Sequence, residues 1–451
     1  MAANLTSFKA YDIRGRVPDE LNPELARQIG RSFAAVYGLR KVVVGRDIRL
    51  SSETLGEALS AGLREMGVEV LDLGLCGTEE IYHAAFSMEG DGVDGGVIVT
   101  ASHNPADYNG MKLVAGGARP VTGESGLREM ARLIAAGSPP VPAVAPGRLI
   151  RLDNKDNYIR HLLGYVEPQE LAPLKIVVNS GNGCAGAIID RLAGHLPFQF
   201  VRLHHDPDGT FPHGVPNPLL PENREETARA VREHGADLGL AWDGDFDRCF
   251  FWDETGRFIE GYYIVGLLAR EMLVKEPGAK ILYDPRLTWN TEEQVREAGG
   301  IPVMTRTGHA FIKERMRSEN ALYGGEMSAH HYFRDFGYCD SGMVPWLLVA
   351  ALLSREGKKL STLVTDRMAA FPVSGEINSK VVDPDGVIAR ILATHQDGEK
   401  DYTDGLSVAY PDWRFNIRKS NTEPLLRLNV ETRGDARLLQ EKTEQLLHLI
   451  R

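Results

Sequence analysis

Three stretches of this chain repeat one pattern, and the repetition restricts the possible folds more than any other feature. Residues 41–74 (KVVVGRDIRLSSETLGEALSAGLREMGVEVLDLG), 174–206 (LKIVVNSGNGCAGAIIDRLAGHLPFQFVRLHHD) and 279–305 (AKILYDPRLTWNTEEQVREAGGIPVMT) each open on a short, β-branched apolar run suited to a buried strand. A polar loop follows, then an amphipathic helix, marked by Leu55, Leu59 and Leu63 in the first copy and by Ile188 and Leu192 in the second. A Gly or Pro stop leads into another apolar run. Strand and helix alternating at this spacing are βαβ units, which build mostly parallel sheets. Three copies predict three related α/β domains rather than one large sheet.

Each copy is followed by a further helix, a strand and an unusual polar loop: GGVIVTASHNPADYNG at 95–110, ADLGLAWDGDFDRC at 236–249, and ALYGGEMSAHHYF at 321–333. Chemistry in open α/β sheets sits beyond the carboxyl ends of the strands, so the three loops are expected to converge on one central cleft. The last part reads differently. Strands are expected at 371–382, 405–410 and 425–431, with a closing helix at 436–450. Alternation in RLNVE predicts an antiparallel, half-exposed sheet, hence a smaller C-terminal α+β domain. Linkers are placed at 136–147, near Asp253 and at 367–372, giving domains 1–147, 148–252, 253–367 and 368–451. Four domains suit 451 residues.

Composition excludes several classes. Hydrophobic residues at 43% and charged residues at 25% fit a folded globular chain, not a disordered one. Lys plus Arg is 51 against 62 Asp plus Glu, a net charge of −11, which disfavours nucleic acid and anionic membranes as partners. An anionic ligand must therefore be caught by a few placed Arg, Lys and backbone amides. The apolar run at 343–353 contains Pro345 and falls short of the ~20 residues a membrane helix needs. The N-terminus lacks a signal-peptide pattern, and Cys76, Cys184, Cys249 and Cys339 form no CxxC, so a cytoplasmic protein with reduced thiols is expected.

Four loops carry residues suited to chemistry. Asp243, Asp245 and Asp247 alternate in WDGDFDR after a buried run. Alternation in an extended loop aims all three one way, and their mutual repulsion calls for a hard divalent cation, Mg²⁺ where few ligands remain; a solvated acidic turn is the plain alternative. In TASHNP, Ser102 sits at a strand-to-loop corner exposed to a cleft, as a nucleophile with a neighbouring base, as a phosphate carrier, or as a simple turn cap. In GEMSAHH, Glu326, Ser328 and His330 alternate, and a carboxylate with a hydroxyl suits vicinal sugar hydroxyls. In RKSNTEP, Arg418, Ser420, Asn421 and Thr422 suit a phosphate dianion. Gly181–Gly186 also matches G-x-G-x-x-G after a strand, with Asp206 about 20 residues on, which is the spacing of a dinucleotide fingerprint. It occurs in only one of the three repeats, Asn179 and Ser180 intrude before it, and a glycine turn entering a helix is the preferred reading.

Taken together and in this order, the loops resemble the α-D-phosphohexomutases, over essentially the whole chain from FKAYDIRG (8–15) to RKSNTEPLLRLNVE (418–431), and within that family the bacterial phosphomannomutases, some of which also act as phosphoglucomutases. The resemblance implies three α/β domains and a smaller C-terminal domain. It implies that Ser102 is the phosphoserine, and that Asp243, Asp245 and Asp247 hold Mg²⁺ together with it. His103, Lys112, Arg14 and Arg248 are then catalytic cationic or proton-handling groups around the transferring phosphate. Tyr11, Arg286, Gly308, His309, Glu326, Ser328 and His330 are implied to contact substrate, and Arg418, Ser420, Asn421 and Thr422 to clamp the non-reacting phosphate. The implied activity interconverts mannose 1-phosphate and mannose 6-phosphate, and the glucose phosphates too, through a hexose 1,6-bisphosphate, with glucose or mannose 1,6-bisphosphate as activator. A monomer is expected. Ala101 and Ala329 stand where relatives often have Gly, and Arg286 where some have Lys. Met327 favours mannose or glucose phosphates over glucosamine phosphate. Competing readings are a haloacid-dehalogenase-like phosphatase with an aspartyl nucleophile, a dinucleotide-dependent oxidoreductase and a silent sugar-phosphate-binding protein.

Overall fold

The computed structural model describes residues 5–137, 139, 141–142, 145–419 and 425–451. The chain divides into two compact units, one ending at Phe258 and completed by Asp335–Glu356, the other made of Ile259–Arg334 and Gly357–Arg451.

In the first unit, Val42, Val43 and Val44 bury the strand Lys41–Arg46 at the centre of a mixed sheet. It pairs in parallel with Glu69–Leu75 and Gly95–Val99. Tyr108–Ala115 returns antiparallel to Gly95–Val99, and Ile13–Arg16 lies antiparallel on its outer side. The second repeat builds its own sheet in the same way. Lys175–Asn179 pairs in parallel with Gln199–Leu203 and Leu238–Trp242, and Cys249–Trp252 returns antiparallel to Leu238–Trp242. Each chemistry-bearing loop is therefore the bend between a buried parallel strand and its antiparallel return.

The segment Asp335–Glu356 packs with this unit although it follows the third repeat in the sequence. Its helix, Val344–Glu356, is buried on nearly every side, which explains the apolar run at 343–353. Trp346 rests against Phe198 and Phe200. Ahead of the helix, the Gly342 and Met343 amides donate to Glu79 Oε2, and the Tyr158 hydroxyl donates to Glu79 Oε1. Burial pushes the Glu79 carboxyl up to about 8 against these hydrogen bonds. Such an acid stays protonated in the folded state while the unfolded chain loses its proton, so stability falls as pH rises from the usual carboxylate range to about 8. Glu79→Gln is expected to flatten the pH dependence of the unfolding midpoint between pH 5 and 8 and to raise it at pH 8. An unchanged profile would show that Glu79 is ionised in the fold.

In the second unit, Lys280–Tyr283 pairs in parallel with Ile301–Met304 and Tyr323–Gly325, and His331–Phe333 returns antiparallel to Tyr323–Gly325. The C-terminal sheet is antiparallel throughout, in the order Ile377–Lys380, Leu425–Thr432, Trp413–Lys419, Leu406–Ala409, Glu399–Asp401. Its core joins Phe415, Ile417, Leu426 and Leu428 to Ile391 and Ile450 of the helices Pro384–Thr394 and Ala436–Ile450. The architecture is three α/β domains with mixed sheets and a smaller α+β domain.

Three expectations are corrected here. The strand placed at 371–382 is only Ile377–Lys380, with an isolated bridge at Val373. The linker placed at 367–372 begins inside the helix Leu360–Ala370. The RLNVE strand is not half-exposed at its far end. Asn429 and Glu431 are fully buried, and Glu431 is compensated there by donations from Arg414 Nη1 (2.7 Å), the Thr288 amide (2.7 Å) and the Tyr262 hydroxyl. Among the described residues, no helix is long and apolar enough to cross a membrane. All four cysteines are buried and free.

Candidate active site

The first unit brings Ser102 against the acidic loop. Ser102 Oγ donates to Asp243 Oδ2 at 2.6 Å. The serine, expected at a corner exposed to a cleft, is 4% exposed, and its φ of 48° is left-handed. The acidic loop is not extended either. It turns at Gly244 and Asp245, with Phe246 at φ 45°. The turn nevertheless gathers carboxylate oxygens of Asp243, Asp245 and Asp247 within 4.8 Å of one another. Gly244 permits the approach, since a Cβ there would lie 2.6 Å from the Ser102 carbonyl oxygen.

Cations surround these acids. Lys112 Nζ, on the return strand Tyr108–Ala115, donates to Asp245 Oδ2 (2.7 Å) and Asp247 Oδ2 (2.5 Å). Burial alone would lower the lysine pKa, but the two carboxylates outweigh it and hold the ammonium protonated. Arg248 donates to Asp243 Oδ2 through Nε (2.9 Å) and Nη2 (2.7 Å), and Nη2 also meets His103 Nδ1. Burial and then Arg248 push the His103 pKa well below its ordinary value, so the ring is neutral. His103 Nδ1 lies 3.1 Å from Ser102 Oγ, yet the serine hydroxyl donates to Asp243 and the ring nitrogen is taken by Arg248, so the two do not form a serine–base pair. Burial pushes the Asp243 carboxyl up to about 6, with Arg248 pulling the other way.

Asp245 Oδ1 is buried and has no hydrogen-bond partner among the described residues. An orphaned carboxylate oxygen among three acids and a serine oxygen is the donor set of a hard cation, so these residues fit Mg²⁺. Arg14 donates to Asn104 Oδ1 (2.5 Å) and Asp12 Oδ2 (2.7 Å), which places it over the serine loop, and Tyr11 lies half-buried in the bend just before.

The second unit assembles the other candidates. Glu326 follows the strand Tyr323–Gly325, in a turn closed by its amide on the His330 carbonyl (2.9 Å), with Ala329 at φ 70°. Glycine adopts that left-handed position at no steric cost, whereas Ala329 holds it against its Cβ. Glu326 Oε1 accepts from the Gly308 amide (3.1 Å) and Arg286 Nη2 (3.3 Å), and Oε2 accepts from the Tyr332 hydroxyl (2.6 Å) and faces His330 Nδ1 at 3.3 Å. Burial would raise this carboxyl, but His330, Arg286 and Tyr332 hold it well below the usual range, so it remains ionised. Ser328 Oγ lies 3.3 Å from both Arg286 Nη2 and His330 Nδ1. Arg286, 3% exposed, is held by Asp284 through Nε (2.8 Å) and Nη2 (2.9 Å). His309 opens the helix His309–Glu319, half-buried, directly after Gly308. Arg418, next to last in the strand Trp413–Lys419, donates to Glu376 Oε2 (3.2 Å), and the other oxygen of Glu376 accepts from Arg427 (3.0 Å). Ser420, Asn421 and Thr422 lie outside the described residues.

The dinucleotide reading fails on space. A Cβ at Gly183 would meet the Gly244 carbonyl at 2.8 Å and one at Gly186 the His205 carbonyl at 2.2 Å. These glycines seat the acidic loop and the following helix against the chain itself. Four residues with direct roles in this geometry were missed in the sequence: Arg49, Asp47, Thr78, whose hydroxyl donates to Asp245 Oδ2, and Glu376.

Comparison with known proteins identifies the family. Residues 5–137, 156–256 and 260–371 match alpha/beta/alpha domains I, II and III of phosphoglucomutase/phosphomannomutase, and residues 376–448 match its C-terminal domain. The chain belongs to that family. It is 61% identical over 449 residues to "Phosphohexose mutases" of Xanthomonas campestris pv. campestris, and 59% identical over 455 residues to the phosphomannomutase of Salmonella montevideo, covering 99% of each chain in both cases. It superposes on a phosphoglucomutase/phosphomannomutase family protein of Burkholderia thailandensis with a TM-score of 0.86 at 34% identity, over 98% of this chain and 96% of that one. An N-acetylphosphoglucosamine mutase of Aspergillus fumigatus in complex with glucose 1,6-bisphosphate shares the fold at 14% identity, with a TM-score of 0.60 over 99% of this chain and 95% of that one.

Proposed function

We propose that this phosphohexomutase interconverts mannose 1-phosphate and mannose 6-phosphate, and the corresponding glucose phosphates, with Ser102 as the phosphoryl carrier. One observation carries the assignment: a buried serine oxygen 2.6 Å from the first of three clustered carboxylates, with Lys112 and Arg248 on the same acids.

Phosphoryl transfer is mostly positioning and charge neutralisation. In the proposed cycle the sugar phosphate takes the phosphoryl group of phosphoserine 102. The P–Oγ bond breaks, a new P–O bond forms to the free hydroxyl, and the hydroxyl proton leaves to a base. The resulting 1,6-bisphosphate turns end for end and returns its other phosphoryl group to Ser102. Lys112 and Arg248 neutralise phosphoryl charge, and burial together with Arg248 keeps His103 neutral. Arg14 steadies the loop at Asn104. Mg²⁺, when bound by Asp243, Asp245, Asp247 and the serine phosphate, supplies further charge neutralisation. Glu326 and Ser328 read sugar hydroxyls, with Arg286 and Gly308 fixing Glu326. His309 and His330 are the candidates for the proton, and Tyr11 for a substrate contact. Arg418, with Ser420, Asn421 and Thr422, grips the phosphate that does not react. Glucose or mannose 1,6-bisphosphate would recharge Ser102. The reading includes a monomeric, cytoplasmic enzyme.

An aspartyl phosphatase would leave Ser102 without a role, yet its Oγ donates to Asp243 Oδ2 inside the acidic cluster. A coupled assay with mannose 1-phosphate and glucose 1-phosphate, Mg²⁺ and catalytic glucose 1,6-bisphosphate tests the proposal, with inorganic phosphate followed in parallel. Conversion to the 6-phosphate without stoichiometric phosphate release is expected. Phosphate release without isomerisation would overturn it.

A further inference from the structure

The loop that carries Ser102 is held by a residue from another part of the chain. The serine backbone is left-handed at φ 48°, a conformation a non-glycine residue keeps only where its surroundings enforce it. Arg49 supplies much of that enforcement. Its Nη1 donates to the carbonyls of Pro105 (2.7 Å) and Tyr108 (2.9 Å), and its Nη2 to the carbonyls of Ser102 (2.9 Å) and Asn104 (2.6 Å). Both ends of the loop and its reactive residue thus hang on one guanidinium, itself 3% exposed. Asp47 completes the frame. It lies 3.4 Å from Arg49 Nε and accepts from Thr100 Oγ1 (2.7 Å), while Thr100 Oγ1 accepts from the Ser102 amide (3.0 Å). The Ser102 carbonyl is caught between Arg49 Nη2 and Gly244 of the acidic loop, so a shift at Arg49 moves the serine relative to the carboxylates.

We propose that Arg49, oriented by Asp47, is the positioning residue that fixes Ser102 Oγ for phosphoryl transfer and so decides whether its phosphoryl group goes to sugar or to water. This rests on Ser102 being the phosphoryl carrier. Arg49 touches no reacting atom. Hydrolysis breaks the same P–Oγ bond as productive transfer, forms a P–O bond to water, and returns one water proton to Oγ. A phosphoserine held out of line reacts slowly with the bound sugar, while water needs no fixed geometry. A lysine keeps the charge, but its single ammonium has three donors at one point and cannot span four carbonyls.

The test compares wild type, Arg49→Lys and Asp47→Asn in the coupled assay, following turnover, KM, and inorganic phosphate released from enzyme charged with glucose 1,6-bisphosphate. Misplacement by about 1 Å costs on the order of 100-fold in rate. For Arg49→Lys, kcat is expected to fall by about that factor, KM to stay within roughly 3-fold, and phosphate released per turnover to rise. Asp47→Asn is expected to move the same readouts less far, and it carries the test alone if Arg49→Lys does not fold. Wild-type kcat in the variants, or a loss of kcat with no change in phosphate per turnover, would overturn the proposal. If the wild type itself fails to isomerise sugar phosphates, the functional reading fails instead.

Discussion

Replacing Ser102 with alanine is expected to cut mutase turnover by roughly 10⁴-fold or more, the scale seen when a covalent nucleophile is removed. Such a loss would come from chemistry rather than unfolding. The serine side chain makes one close donation, to Asp243 Oδ2, and Asp243 remains held by Nε and Nη2 of Arg248 without it. Losing that hydrogen bond costs about 1 kcal/mol. The left-handed backbone at φ 48° burdens alanine about as much as serine, so it adds little difference. Turnover, the thermal unfolding profile and the intact mass after incubation with glucose 1,6-bisphosphate check the outcome together. Near-zero turnover, an almost unchanged unfolding profile and no added phosphate are expected. An alanine variant that still turns over, or still gains a phosphoryl group, would remove Ser102 from the mechanism.

The parts of this picture visible in the sequence are those whose residues announce themselves by local pattern. Val42–Val44 and Ile176–Val178 mark central strands because parallel strands buried on both faces leave no polar positions. The acidic triad was visible because all its members come from one loop, although the turn at Gly244 and Phe246, rather than an extended chain, brings the carboxylates together. Arg49 was not visible because its partners are backbone carbonyls, which have no sequence signature, more than fifty positions away. Thr78 meets Asp245 across 167 positions, and nothing local in GTEE hints at it. In the C-terminal domain the strand Trp413–Lys419 was missed although Trp413, Phe415 and Ile417 alternate with polar residues; what the alternation does not show is where Arg414 and Asn416 lie. Both are buried, Arg414 on Glu431 and Asn416 on Ser407 and the Asp404 carbonyl. Burial of paired polar groups leaves the alternation intact but hides that both faces of the strand are covered.

Lys112→Met should give the second large effect, with a signature that separates charge from packing. The Lys112 ammonium sits 2.7 Å from Asp245 and 2.5 Å from Asp247, at 8% side-chain exposure. Methionine keeps much of the apolar stem but leaves two buried carboxylates without this partner, and breaking a buried ion pair from one side costs about 3–5 kcal/mol. In EDTA the variant is therefore expected to melt well below wild type. A divalent cation restores the missing charge at the acids, so Mg²⁺ should raise the variant's melting temperature more than that of wild type, and at lower concentration. Turnover should nonetheless stay about 10³-fold down at saturating Mg²⁺, because a metal on the carboxylates does not replace the ammonium at the transferring phosphoryl group. Titrating Mg²⁺ against melting temperature and turnover in both proteins reads the two effects separately. If the variant responds to Mg²⁺ no more strongly than wild type, lysine and metal do not share these carboxylates. If Mg²⁺ restores turnover as well as stability, Lys112 holds the acidic loop together and plays no part in the transfer.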